Sequence, residues 1–312
     1  MTAQSTYVMV GNREDLTDMI WMVSPSDTPL LSAIKKVKAS NTKHEWQTDS
    51  LAAPSASNAT VEGADMGTPA DDPTVRVDNY TQILTKDAKV TGTQESGMVH
   101  AGMKRAMADQ IAKKMKEIKT DWEMSAFGAK NAKAAGNAST AREMADIITY
   151  LKTNTSRGSG GADPTGDGSD IPTDGTQRVF TEAMLTAVLQ SCFDEGGDPT
   201  LIALGSFNKG KLSGFTGGQT RYADTSNKQL VSSIDVYIGD FHTLKAVPSR
   251  HVRARDALVI DPGYLAVADL RGLHSINIAQ TGDSIKKQLV WETTLEVCNE
   301  AAHGTVADLT TS

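Results

Sequence analysis

The sequence predicts an α+β fold in which a long helix and a hairpin arm project from a compact body. Three patterns carry this. Apolar residues recur at steps of three and four from Met98 to about Phe127, the chain beyond Val231 reads mostly as strand, and Gln288 to Cys298 alternates with a period of two. The 312 residues are 39% hydrophobic, ample for a core, but only 5% aromatic. Lys and Arg total 31 against 38 Asp and Glu, a net charge of −7, which argues against a protein that coats nucleic acid through overall basicity.

The first 42 residues read as an arm. Leu16, Met19, Ile20 and Val23 share one face of a short helix that Ser24 to Pro29 ends, and Leu30, Leu31 and Ile34 open a second apolar turn. Such thin stripes need another surface to pack on. From Lys43 to Val90, two β-like flanks enclose a soft centre. His44 to Asp49, with Trp46, and Thr74 to Val90 are rich in β-branched and aromatic residues. Leu51 to Pro73 contains Val61, Met66, many alanines and Glu62, Asp65, Asp71 and Asp72, with no Lys, Arg or aromatic residue. A hairpin with an acidic tip follows, and that tip cannot build a core of its own.

Met98 to Phe127 is predicted as a helix of about 30 residues, roughly 45 Å long. Met103, Met107, Ile111, Met115, Ile118 and Trp122 form its packing stripe, and Arg105, Lys113, Lys116 and Lys119 fall on the opposite arc. Val99 to Lys119 holds six basic and two acidic residues, so an acidic protein contains one basic helix. The spacing of Met144, Ile147, Ile148 and Leu151 predicts a second helix over Thr140 to Lys152. Ser156 to Thr176, with six glycines and four aspartates, reads as a mobile surface loop. Phe180 to Asp194 is a helix stopped by Gly196-Gly197, and Leu201 to Leu204 is a short buried strand. The strands Val236 to Ile238, Leu244 to Val247, Ala257 to Ile260 and Leu265 to Ala268 follow. In the last strand Leu289, Trp291, Leu295 and Val297 share one face, and Glu292, Glu296 and Cys298 the other.

No catalytic set assembles. Gly205-Ser206-Phe207-Asn208-Lys209-Gly210-Lys211 approaches a phosphate-binding loop, and Leu258 to Asp261 resembles a magnesium-positioning strand. Leu212, however, replaces the hydroxyl residue that binds magnesium. Asp163, Asp167 and Asp170 lack EF-hand spacing, and the six histidines form no ligand pair, so no metal or cofactor is expected. Cys192 and Cys298 cannot make a disulfide framework. No stretch reads as a signal peptide or membrane span, so a soluble cytoplasmic product is expected.

The order of parts resembles the HK97 fold of tailed-bacteriophage major capsid proteins, and local wording supports this. Arg13-Glu14-Asp15-Leu16, Ser24-Pro25 and Asp27-Thr28-Pro29-Leu30 are similar to the N-terminal arm of one capsid family. So are Phe180 to Leu185, Gly196-Gly197, Gly205 and Lys209 to Phe215. The C-terminal match includes Asp240-Phe241, Thr243-Leu244-Lys245 and Val247-Pro248-Ser249-Arg250. It continues with Asp261 to Ala268, Thr281-Gly282-Asp283, Leu295-Glu296-Val297, Asn299-Glu300 and Ala302-His303-Gly304.

The resemblance implies a structural, non-enzymatic protein. Its copies tile as pentamers and hexamers into an icosahedral virion shell around double-stranded DNA, assembled in a bacterial cytoplasm. It divides the chain into an arm (1–42), an extended loop (43–97), and a spine helix with peripheral domain (98–179) that includes the mobile loop 156–176. An axial domain (180–250) and return strands (251–312) follow. Leu16, Met19, Ile20, Trp46, Val61 and Met66 become candidates for contacts between subunits, and Arg105, Lys113, Lys116 and Lys119 for contact with DNA. Implied partners are further copies of the chain, a separate scaffolding protein, a portal and a decoration protein, with no membrane. The best-known member of the fold cross-links its shell through a hairpin lysine. Residues 51–73 hold no lysine, so no such bond is expected from the tip. An encapsulin-like compartment is the alternative on the same fold, and an NTPase comes last.

Overall fold

The computed structural model describes residues 24–25, 27–65, 73–96, 105–215 and 236–312. A short helix, α1 (Pro29–Ala33), leads through β1 (Lys35–Lys38) into a hairpin of β2 (Lys43–Thr48) and β3 (Val75–Tyr80). Next come β4 (Gln82–Thr91), α2 (Gly92–Ser96) and the long helix α3 (Ala106–Phe127). After β5 (Thr155–Ser156) the chain forms α4 (Glu182–Asp194), β6 (Leu201–Leu204) and α5 (Ser206–Leu212). The strands β7 (Val236–Ile238), β8 (Thr243–Pro248) and β9 (Ala257–Ile260) precede the long pair β10 (Leu265–Ile278) and β11 (Ser284–Val297), and β12 (Gly304–Val306) is last.

Two sheets build the body. One has the order β1-β10-β11-β4, the other β5-β12-β9-β6-β8-β7, and β2-β3 stand apart as the hairpin. The apolar runs Leu201–Leu204 and Ala257–Ile260 are buried on both faces. Leu201, Ala203, Leu258 and Ile260 face one core cluster. Ile202, Leu204, Ala257 and Val259 face another, closed by Leu185, Val188, Leu189 and Cys192 of α4. The six-stranded sheet is thus the wall between two cores.

α3 lies on the four-stranded sheet. Ile118, Trp122, Ala126 and Phe127 are fully buried in the first cluster, and the Trp122 ring sits 6.0 Å from that of Trp291 on β11. The alternation in the last strand therefore holds, with Leu289, Trp291, Leu295 and Val297 all in this core. The described helix has 22 residues, about 33 Å; Met98 to Lys104 lie outside the described residues. Met115 departs from the expected stripe. It is 38% exposed, on the same open arc as Lys116 and Lys119, because the helix turns its Met107, Ile118 and Trp122 side to the sheet.

Three further expectations are corrected. Thr140 to Lys152 is not a helix; only Ile147–Thr149 makes a single 3-10 turn. Residues 144–151 are buried on every side, and several of their backbone N–H groups are satisfied by side chains, two of them from β3 and β4 and one from Asp146 within the segment. Ala145 N donates to Asn79 (2.9 Å), Met144 N to Gln82 (3.3 Å) and Ile148 N to Asp146 (3.2 Å). The flank from Thr74 to Val90 divides at Thr81, so that β3 pairs with β2 while β4 joins the body along β11. Finally, residues 156–176 are not a free excursion. Asp308, 1% exposed, accepts from Gly158 N (3.0 Å) and Gly175 N (2.8 Å) while pairing with Arg255 (2.9 Å). Ala162 and Thr173 bridge within the loop, and Arg157 grips Asp163.

Candidate subunit interfaces

The hairpin is rooted by Asn79, whose amide donates to Leu295 O (2.8 Å) on β11, and by Trp46, whose ring lies 6.0 Å from Tyr150. His44 adds a 2.9 Å contact to Glu296. Trp46, a predicted contact residue, therefore packs half-buried against the chain's own core. Beyond this root the support stops. Every residue from Asp49 to Asp65 is exposed, Leu51 at 99% and Val61 at 81%, and the hydrogen bonds of Ser50, Ser57 and Ala64 in this stretch are short-range. Of the other predicted contact residues, Leu16, Met19, Ile20 and Met66 lie outside the described residues.

The open arc of α3 brings Arg105, Lys116 and Lys119 together with Ala108, Ala112 and Met115, and Lys113 is half-buried at its edge. None of these four basic residues takes part in an ion pair among the described residues, whereas Lys114 binds Glu117 (2.8 Å) and Lys86 binds Asp121 (2.6 Å). A second basic feature escaped the sequence reading. β1 is the outer strand of its sheet and exposes Lys35, Lys36 and Lys38, charges of the kind that keep a free strand edge from pairing indiscriminately.

The near-phosphate loop proves structural. Gly205 ends β6, α5 starts at once, Leu212 is fully buried, and Asn208 donates to Ala254 O (2.9 Å). Lys211 sits 5.1 Å from the Phe207 ring centre. Asp261 accepts from Gly263 N (2.8 Å), capping the turn Pro262–Tyr264. Asp163, Asp167 and Asp170 accept from Thr155, Ser169 and Thr165 in their own neighbourhood. Burial pushes the thiols up, Cys192 to about 12 and Cys298 to about 11, which suits packing rather than nucleophilic chemistry. It holds the His303 ring down at about 4.

Glu123 was not singled out by its sequence context. It is fully buried where α1, α3 and the turn after β8 meet. Its Oε2 accepts from Leu31 N (3.1 Å), and its Oε1 lies 3.4 Å from the Ser249 hydroxyl. Burial pushes its carboxyl up to about 7, against the opposing pull of hydrogen bonds from Leu31, Ser249 and Leu30. Only a charged residue lodged in an apolar stretch, between Trp122 and Ala126, could have drawn attention to it.

Comparison with known proteins gives the family and the fold. Residues 2–310 match the family model described as SU10 major capsid protein. A major capsid protein of Escherichia phage Phieco32 is 37% identical over 118 residues, 38% of this chain and 33% of that protein, so the match spans a third of the relative's length. Among solved structures, the capsid asymmetric unit of cyanophage A-1(L) superposes with a TM-score of 0.67 at 11% identity, over 99% of both chains. A chain of the satellite phage P4 procapsid, which includes a size-determination protein, gives a TM-score of 0.57 at 15% identity over 94% of both. The fold is that of HK97-like phage capsid proteins.

Proposed function

From the premise that this chain belongs to the SU10 major capsid protein family, we propose that its copies tile as pentamers and hexamers into an icosahedral phage head enclosing double-stranded DNA. The observation that carries the reading is the hairpin. Its root is fixed to the body, yet residues 49–65 expose Leu51 and Val61 and hold no core, so their burial requires another molecule. A neighbouring copy supplies that surface in a closed, repeating assembly. Residues 1–42 act as the arm and 43–97 as the overlapping loop. Residues 98–179 form the peripheral domain, 180–250 the axial domain, and 251–312 the return between them. Electron microscopy of the expressed protein, alone and with proteins encoded beside it, tests this; closed shells support it, and monomers under every co-expression condition contradict it.

The unpaired arc of α3 lines the interior and neutralises packaged DNA, while the acidic loops face elsewhere. Changing Arg105, Lys113 and Lys116 together to Glu lowers DNA retention more than shell yield, read as nucleic-acid content per particle. Equal losses argue against this orientation. Assembly draws on a separate scaffolding protein, a portal and a decoration protein. The P4 procapsid, which includes a size-determination protein, is a precedent on the same fold for a second protein in the shell.

A further inference from the structure

α1 begins without a cap of its own. Thr28 makes no side-chain capping bond, although the first backbone N–H groups of a helix need acceptors. Glu123 supplies that acceptor from 92 residues away, through Leu31 N (3.1 Å) and Leu30 N, and reaches the Ser249 hydroxyl on the other side. One carboxyl therefore joins three elements: the helix where the arm enters the body, the spine helix, and the turn after β8. Leu30, Leu31 and Ile34 at α1 and Ile118 and Trp122 on α3 are all buried in the first core cluster. A cleft of about 430 Å³ lies alongside, lined by Pro25, Asp27, Pro29, Ser249 and Arg250 among others, so the arm's entry is not packed solid.

The ionisable groups nearest the junction in sequence are Asp27 and Lys35 flanking α1, Lys119 and Asp121 on α3, and Arg250 and His251 on the turn; the other charged residues of α3, Asp109, Lys113, Lys114, Lys116 and Glu117, lie toward its N-terminal end. None forms an ion pair with Glu123 among the described residues, and Asp121 is taken by Lys86 (2.6 Å). A buried carboxylate with no cation is costly to ionise. Releasing α1 opens the site to water and removes that cost.

We propose that Glu123 is a proton-linked clasp: protonated, it fastens α1 and the arm's entry to the spine helix, and on ionising it slackens them. The consequence for neighbouring subunits rests on the arm's assembly role, but the clasp itself does not. The direction follows from linkage. The docked carboxyl holds its proton up to about pH 7, whereas the released one ionises near its ordinary value. Docking is therefore tightest below about pH 4.5, weakens as pH rises from there to 7, and levels off above 7. The change is at most about tenfold per pH unit, on the order of a hundredfold across the window.

Hydrogen exchange of the Leu30 and Leu31 amides in dissociated full-length subunits reads this directly, as protection factors corrected for intrinsic exchange. The readout is local because other buried groups also link global stability to pH, His303, held neutral by burial, in the opposite direction and Asp146, pushed up to about 7 by burial, in the same one. In the unaltered protein, protection falls between pH 4.5 and 7 and then flattens. In Glu123→Gln, which keeps an acceptor but cannot ionise, protection stays high at every pH. Ser249→Ala, which removes a donor that favours the ionised form, moves the upper end of the window to higher pH. A flat profile in the unaltered protein overturns the clasp without any variant. An unchanged slope in Glu123→Gln, or an unmoved window in Ser249→Ala, assigns the titration to another group and overturns it equally. Because these subunits are unassembled, failure of the clasp is distinct from failure of the shell reading.

Discussion

Residues 49–65 and 156–176 are similar in composition and opposite in structure. Both are poor in large apolar residues and aromatics and rich in small or polar ones. The hairpin tip is exposed throughout, while the 156–176 loop is fastened at both ends by one buried side chain, Asp308, 133 to 150 residues away. Composition says that neither segment builds a core. Whether such a segment is held depends on partners distant in sequence, and for the tip no such partner lies within the described chain. That makes the loop part of the body and, under the proposed function, the tip part of the assembly.

The contrast can be broken from the loop side first. Asp308→Ala leaves Gly158 N and Gly175 N without their acceptor, while Arg255 keeps Gly175 O (2.7 Å) and Asp174 (3.6 Å), and is expected to cost about 2–4 kcal/mol in urea unfolding. A loss below about 1 kcal/mol would mean the loop is not anchored there. A matched glycine pair sharpens the comparison. Gly168 and Gly63 both have φ of +81°, but a Cβ on Gly168 would lie 2.7 Å from the Tyr150 ring, whereas one on Gly63 meets nothing within 4 Å. Gly168→Ala is expected to destabilise by about 1–3 kcal/mol through strain and overpacking. Gly63→Ala strains only the local turn, so the melting temperature of the free subunit should not move. Leu51→Asp combined with Val61→Asp is likewise expected to leave subunit stability nearly unchanged. Both side chains are already in water, so subunit stability changes by less than about 0.5 kcal/mol while shell yield collapses. Normal shells from that double variant would remove the tip from the interface.

Much of the fold was legible because local pattern and final burial agree. The core face of β11, Leu289, Trp291, Leu295 and Val297, and the apolar face of α4 needed no knowledge of their neighbours, whereas the burial of Val290, Glu292 and Thr294 on the opposite face of β11 did. The segment from Met144 to Leu151 misled for the opposite reason. Its helical spacing is real, but the residues between the apolar ones are buried too, and Asn79 and Gln82 take the backbone bonds a helix would make internally. The aspartate loop misled because its anchor, Asp308, is remote. Of the candidate interfaces, the exposed tip and the unpaired lysines of α3 were visible as composition and charge. The Glu123 junction was not, since its meaning depends on α1 and Ser249 arriving from either side.

The central claim is that the tip is completed by a neighbour and the loop by its own chain. Hydrogen exchange on free subunits and on assembled particles, compared at residues 49–65 and 156–176, tests it most directly. The expected result is a loop protected in both states and a tip that exchanges freely in subunits but gains protection in particles. A tip already protected in the free subunit, or still unprotected in the particle, would contradict it.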